Sequence, residues 1–315
     1  MLARLQKLLV LGLLAGSTAW AVILTRLGHP GWGAAAALMI LLSYALFLGL
    51  EFVALYLVQA PGPAPRARAG QLLRAWWAEI ITAPRVFFWR QPFRSGTEPD
   101  HVPDQAGGRR GVVLVHGFVC NRGLWNPWMR ELRARNTPYI AVNLEPLFNS
   151  IDHYPQIIET AVARLESITG APVVLVGHSM GGLAIRAWLR QLHADERVHR
   201  VITIGSPHQG TWLARYGHTI NGKEMRQHGP WLTALAAAEP VTRSTRFTCF
   251  YGHCDNIVFP AVAGTLPGAD NRHVPGTAHV QMAFQPVVFN EVWRWVSSPP
   301  ASAPIAQADL VMAAR

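Results

Sequence analysis

Cysteine is scarce in this chain of 315 residues: there are three, Cys120, Cys249 and Cys254. Three thiols build no disulfide framework, and so few suit a reducing compartment, although Cys249 and Cys254 are placed to pair. No Cys/His cluster has zinc-ligand spacing, so neither metal nor cofactor is expected. No internal repeat is present, which excludes a solenoid or propeller. Acidic residues are also few, with 18 Asp and Glu against 28 Lys and Arg and a formal charge of +10. Such a balance suits nucleic acid or an anionic membrane surface. The sequence has no nucleic-acid module and no basic repeat with interleaved aromatics, so no nucleic-acid partner is expected. Many arginines instead flank apolar stretches near the N-terminus, which points to a membrane.

Apolar residues are what the chain has in excess. Half are hydrophobic, and the mean hydropathy is +0.16. Leu8 to Thr25 carries no charge. After a turn at Gly28-His29-Pro30-Gly31, Trp32 to Leu50 carries none either, and the run resumes beyond Glu51 to Val58. Each run is long enough to cross a bilayer core. Residues 1–60 therefore read as a transmembrane helical hairpin that meets the lipid bilayer through residues 8–58. The alternative for the first run is a cleaved signal peptide. Ala19-Trp20-Ala21 is a poor small-x-small site, however, and the second run follows at once. Glu51 would be costly facing lipid and is expected near an interface or against the first helix.

Positive residues set the orientation. Arg4 and Lys7 precede the first run, Arg66, Arg68 and Arg74 follow the second, and only Arg26 and His29 lie between. Both ends are expected in the cytoplasm. The expected location is a bacterial inner (cytoplasmic) membrane, multi-pass, with everything after residue 60 on the cytoplasmic side. Residues 61–108 form a juxtamembrane stretch that opens on a stiff linker, Ala60-Pro-Gly-Pro-Ala-Pro65. Gln71 to Arg94 then mixes Trp76, Trp77, Phe87, Phe88, Trp89 and Phe93 with arginines. Two readings stay open for it: an amphipathic segment in the headgroup layer, or a helix packed on the following domain. Ser95 to Gly108 reads as a loop.

From residue 109 strands and helices alternate. The strands are Gly111–Val115, Tyr139–Asn143, Val173–Val176, Val198–Ile204, Arg246–Tyr251 and His273–Val274. Helices are expected at Leu124–Asn136, Gln156–Thr169, Leu183–Leu192 and Val287–Val296. This alternation predicts an α/β domain over residues 109–297, with a mostly parallel sheet and helices on both faces. Sites in such sheets lie beyond the carboxyl ends of the strands. The tail, residues 298–315, is rich in Ala, Pro and Ser and is expected to be disordered.

Gly177-His178-Ser179-Met180-Gly181 fits G-x-S-x-G between an apolar strand and an amphipathic helix, the context a nucleophile elbow requires. The turn lifts the Ser179 hydroxyl above the sheet, and Gly177 and Gly181 let strand and helix pass closely. A serine hydroxyl needs a base, and the base an orienting acid. In this sheet type the order is Ser, acid, His. Asp255 follows the Arg246–Tyr251 strand, and His279 follows the last strand. Asp270 is a rival acid but comes too late. His253 precedes Asp255, and His273 lies within a strand. An oxyanion needs two backbone N–H donors. Met180, after the nucleophile, supplies one. Phe118 supplies the other from the His116-Gly117-Phe118 loop, where Gly117 permits the turn and His116 braces it by hydrogen bonds. His178 reads as structural.

These motifs resemble the α/β-hydrolase superfamily, and within it the bacterial lipase/esterase group. The carriers are His116-Gly117-Phe118, Gly177 to Gly182, Gly252-His-Cys-Asp255 and Gly276-Thr-Ala-His279. Ile204 to Thr211 adds a stretch similar to the T-P-H-x-G-T of bacterial triacylglycerol lipases. The resemblance covers about residues 109–297. It implies the α/β-hydrolase fold preceded by two transmembrane helices, and ester hydrolysis through an acyl-enzyme on Ser179 with a hydrophobic ester as substrate. The insertion from Pro207 to Arg243 resembles a lid over the acyl pocket, or else a plain pair of packed helices. An acyltransferase or thioesterase would use the same triad, and a non-catalytic membrane scaffold is the reading of another class. The sequence sets neither head group nor oligomeric state.

Overall fold

The structure, a computed structural model, describes residues 1–103, 106 and 109–298. Apart from Ser298, the tail expected to be disordered lies outside the described residues. Two long helices come first: α1, Leu2–Arg26, and α2, Pro30–Val58. At 1.5 Å per residue they are roughly 38 and 44 Å long, beyond the ~30 Å hydrocarbon core of a bilayer. Both are long and apolar enough to cross a membrane. They pack on each other, and Ser17 of α1 donates to the carbonyl of Ala37. Much of their outer surface is bare: Leu9, Trp20, Ile23, Leu38 and Leu46 are all exposed.

The juxtamembrane stretch is one helical run. It comprises α3 (Ala69–Pro84), a π-helical turn (Arg85–Arg90) and α4 (Gln91–Arg94). Pro84 has no N–H for the carbonyl of Ile80, which would otherwise close the last turn. That carbonyl accepts the hydroxyl of Tyr44 on α2 at 3.0 Å instead. The indole N–H of Trp76 donates to the carbonyl of Ala45 at 2.9 Å. Residues 76 and 80 of α3 thus meet residues 45 and 44 of α2, so the two helices run antiparallel. Leu72, Ala75, Glu79 and Ala83 are buried, whereas Leu73, Trp77, Ile81 and Trp89 form an exposed apolar stripe.

The α/β part begins with β1, Val112–Val115. There follow α5 (Asn126–Ala134), β2 (Tyr139–Ala141), α6 (Pro155–Thr169), β3 (Val173–His178), α7 (Met180–Leu192) and β4 (Val198–Ile204). The insertion carries α8 (Ile220–Glu224) and α9 (Pro230–Ala237). Then come β5 (Phe247–Tyr251), β6 (Asp270–His273), α10 (His279–Met282) and α11 (Pro286–Ser297). The six strands lie in the order β2-β1-β3-β4-β5-β6, and every pair is parallel. Side chains alternate between faces, as the period-2 geometry demands. Val113, Val115, Val173 and Leu175 pack with α6 and α7. Val112, Leu114, Val174 and Val176 pack with α5 and α11.

Most boundaries shift by one to three residues, and two of the differences have a clear physical reason. The helix expected from Leu124 starts as a 3-10 turn, Arg122–Trp125, and becomes α-helical at Asn126, with Pro127 in the first turn where a missing N–H is tolerated. The last strand is Asp270–His273 rather than His273–Val274. It is the polar, half-exposed edge of the sheet, so it lacks the apolar signal of a strand.

Candidate active site

The chain leaves β3 through a backbone that few residues adopt. Ser179 has φ 55° and ψ −129°, a conformation that costs a non-glycine roughly 1–3 kcal/mol. Its N–H donates to the carbonyl of Ile204 at 2.9 Å, pinning the turn to β4. Close packing maintains it from the other side. A Cβ on Gly181 would stand 2.4 Å from the carbonyl oxygen of Val115, and one on Gly117 would stand 2.6 Å from the Cβ of Ser179. Gly177 abuts the backbone of Gly182. Gly117→Ala must therefore push the loop away from the serine or the serine off its position. We expect kcat to fall by roughly 10²-fold while the melting temperature moves little, because the strain is confined to one surface of the site. Steady-state kinetics beside a thermal melt checks this.

The loop after β1 holds a buried His116. Its Nδ1–H donates to the carbonyl of Gly117 at 2.9 Å, and its Nε2 accepts the N–H of Leu144 at 3.0 Å. Burial pushes its pKa down to about 4, so it stays neutral and braces the loop against the segment after β2. Phe118 follows, facing the cavity described below. Met180 is the first residue of α7, and its N–H has no partner within the helix.

Asp255 and His279 meet beyond the ends of β5 and β6. The Nδ1–H of His279 donates to both carboxylate oxygens of Asp255, at 2.9 and 3.0 Å. Oδ1 of Asp255 also accepts the N–H groups of Ile257 and Val258, at 2.9 and 2.8 Å. Both side chains are buried. The acid thus fixes the tautomer, leaving Nε2 of His279 as the free acceptor. Burial acts against the imidazolium, but the charge and hydrogen bond of Asp255, then the charges of Glu79 and Glu51, outweigh it and raise the pKa of His279. His178 lies 4.7 Å from that ring, centroid to centroid, and its Nε2–H donates to the carbonyl of His279 at 3.3 Å. Burial holds its own pKa far down, so it is a neutral neighbour.

The rival residues lie elsewhere. Asp270 pairs with Arg272 at 2.7 Å. His253 and His273 bond each other at 2.6 Å. His208 is buried against the hydroxyl of Thr203, at 2.8 Å. All three cysteines are free and buried.

Ser179 and His279 open onto one cavity of about 550 Å³. Tyr44, Phe47 and Leu48 of α2 form one wall, Phe87 and Phe88 of the π-helical turn another, and Leu213 and Met225 of the insertion roof it. No Lys or Arg lines it among the described residues. Phe47, one of the lining residues, is 64% exposed.

Three residues outside the predicted site close its rear. Glu79 of α3, 1% exposed, accepts the N–H groups of Val280 and Gln281 at 2.8 and 3.0 Å. Asn256 accepts the N–H of His279 at 3.2 Å and donates to Glu51 of α2 at 2.6 Å. Glu51, expected near an interface or against α1, is hydrogen-bonded to Asn256. Its partner comes from the α/β part. Two signals were present in the sequence: a carboxylate inside an apolar run, and another, Glu79, on the same helical face as Leu72, Ala75 and Ala83.

Residues 112–312 match the alpha/beta hydrolase family. No curated protein matches the chain. Among solved structures, the mature form of the lipase BlEst2 from Bacillus licheniformis superposes with a TM-score of 0.51 at 18% identity, covering 62% of this chain and 93% of that one. Its propeptide form gives 0.53 at 17% identity, covering 66% of this chain and 54% of that one. At such identities the likeness is one of fold.

Proposed function

The chain belongs to the alpha/beta hydrolase family, and from that premise we propose that it is a membrane-anchored serine ester hydrolase of the lipase/esterase type. The observation that carries the reading is the pairing of Asp255 with His279 beside the strained Ser179, at the foot of an apolar cavity. Ser179 Oγ attacks the ester carbonyl and gives its proton to His279 Nε2. The N–H groups of Phe118 and Met180 hold the oxyanion. Collapse expels the alcohol, which takes the proton back from His279. A water then repeats the sequence on the acyl-enzyme and regenerates the serine. Gly117, Gly177, Gly181 and His116 keep the elbow and the loop in register.

The substrate is a hydrophobic acyl ester. An apolar cavity of this volume, without a lining cation, favours an uncharged chain over an anionic one. Residues 8–58 anchor the chain, and the insertion over residues 207–243 covers the acyl pocket. By charge bias the catalytic part faces the cytoplasm, so alkaline phosphatase fused after residue 60 should be inactive. A fluorophosphonate probe should label Ser179, and p-nitrophenyl esters of graded length should show a preference for longer chains. An unlabelled Ser179, with a known hydrolase labelled alongside, would sink the reading. Product analysis with alcohol or thiol acceptors separates hydrolysis from acyl transfer.

The pH dependence follows from His279. Attack needs the neutral imidazole, and the pKa is raised above its ordinary 6.5. kcat/KM should therefore climb with pH through a limb lying above 6.5, reporting the free enzyme. A limb below that value would mean that the nearby carboxylates do not act on the ring.

A further inference from the structure

We propose that Glu51 and Glu79 are positioning residues for the base His279, so that the N-terminal helices complete the active site as well as anchoring it. The inference rests on the reading of Ser179, His279 and Asp255 as a triad.

Two independent paths lead from these helices to the histidine. Through the first, both carboxylate oxygens of Glu79 take the consecutive N–H groups of Val280 and Gln281. Those groups open α10, the short helix that starts at His279. A carboxylate accepting two backbone N–H bonds fixes the height and tilt of that turn, and with it the imidazole. Through the second, Glu51 takes one amide hydrogen of Asn256, whose oxygen then faces the N–H of His279. The Asn256 amide can present its oxygen to His279 only while its nitrogen points at an acceptor, and α2 supplies that acceptor. Asp255, next in sequence to Asn256, holds the ring itself.

Neither carboxylate has the usual reason to be there. No arginine or lysine pairs with Glu51 or Glu79 among the described ion pairs. A buried carboxylate without a counter-ion is costly and is replaced at little loss by an apolar residue unless its bonds are needed. The charged groups facing the His279 ring are Asp255 from the loop after β5, Glu79 from α3 and Glu51 from α2, with neutral His178 from β3. Three carboxylates around one imidazole favour the imidazolium that forms during attack. Burial raises the pKa of Glu79 to about 7, against the pull of its two N–H donors and of His279.

The test uses the full chain in lipid bilayers, with a soluble short-chain p-nitrophenyl ester, and the variants Glu79→Leu, Glu79→Gln, Glu51→Leu and Glu51→Gln. Both leucine variants should lose kcat by roughly tenfold to a hundredfold, with KM moving less than about threefold. Glu51→Gln can still accept from Asn256 and should recover most of what Glu51→Leu loses. Glu79→Gln removes the negative charge that Glu79 carries above its own pKa of about 7, so over that range the imidazolium is less favoured and the acid limb of kcat/KM moves to lower pH. Leucine variants with kcat within about twofold of the parent would overturn the proposal. So would a fall in kcat with no rescue by Glu51→Gln and no movement of the acid limb in Glu79→Gln, since that is what a purely structural role gives. Should Glu79→Leu fail to fold, the Glu51 pair decides the question through Asn256. A parent chain that no fluorophosphonate labels sinks the triad reading itself. A labelled parent with indifferent variants sinks this inference alone.

Discussion

Ser179→Ala is expected to lower kcat on a short soluble ester by about 10⁶-fold, the scale seen when a triad loses its nucleophile. The rest of the site survives the change, since the oxyanion donors are backbone groups and the pocket is formed by other side chains. A residual acceleration of about 10³–10⁴ over water should therefore persist. The fold should be indifferent. The side chain is small, and alanine occupies φ 55° with the same strain as serine. Ser179→Gly makes a sharper pair with it. Glycine is free of that strain, so this variant should be as inactive as the alanine variant and more stable by about 1 kcal/mol or more. Thermal melts of the two, read beside kcat, separate the two effects. An alanine variant retaining a hundredth of the parent activity would show that some other group is the nucleophile. A glycine variant no more stable than the parent would show that the elbow is not a site of stored strain.

The parts of this molecule that could be read from its residues are those where local chemistry dictates local geometry. Val173 to Val176 followed by G-x-S-x-G announces strand, turn and helix, because only small residues permit the approach that Gly181 makes to Val115. Ser179 and Asp255 each lie just past an apolar strand, β3 and β5, whereas His279 lies past the polar β6. What was hidden depends on pairs distant in sequence. Glu51 and Asn256 are joined by a single hydrogen bond across 205 positions. Glu79 reaches Val280 across 201. No periodicity or spacing encodes such a contact. The sequence marks only that a carboxylate stands in an apolar run or on an apolar helix face, so that it needs a donor from somewhere. The edge strand Asp270–His273 was blurred for a different reason. Its solvent-facing residues are polar, and its pairing with β5 is carried by backbone groups that every residue shares.

Asp255→Asn should cost about 10⁴-fold in kcat near neutral pH, through the tautomer and not the fold. In the parent, Oδ1 of Asp255 accepts from Ile257 N, Val258 N and His279 Nδ1, so every neighbour is a donor. An asparagine has one oxygen for these donors and must turn its NH₂ toward one side. If the oxygen stays with the two backbone N–H groups, the amide nitrogen faces His279. That nitrogen, 3.0 Å from Nδ1 in place of Oδ2, favours Nδ1 as the acceptor, and the ring proton then sits on Nε2, where it blocks the transfer from Ser179. If the amide flips, two backbone N–H groups lose their acceptor in a dry interior, at roughly 1–3 kcal/mol each. The first arrangement costs less and is the inactive one. The variant should thus melt near the parent temperature yet turn over hardly at all. Glu79 should not substitute, since both its oxygens are committed to Val280 and Gln281, and Oε2 of Glu51 is committed to Asn256. An Asp255→Asn variant within about tenfold of the parent kcat would mean that one of these two carboxylates reaches the ring after all. A double variant, Asp255→Asn with Glu79→Gln, would then say which.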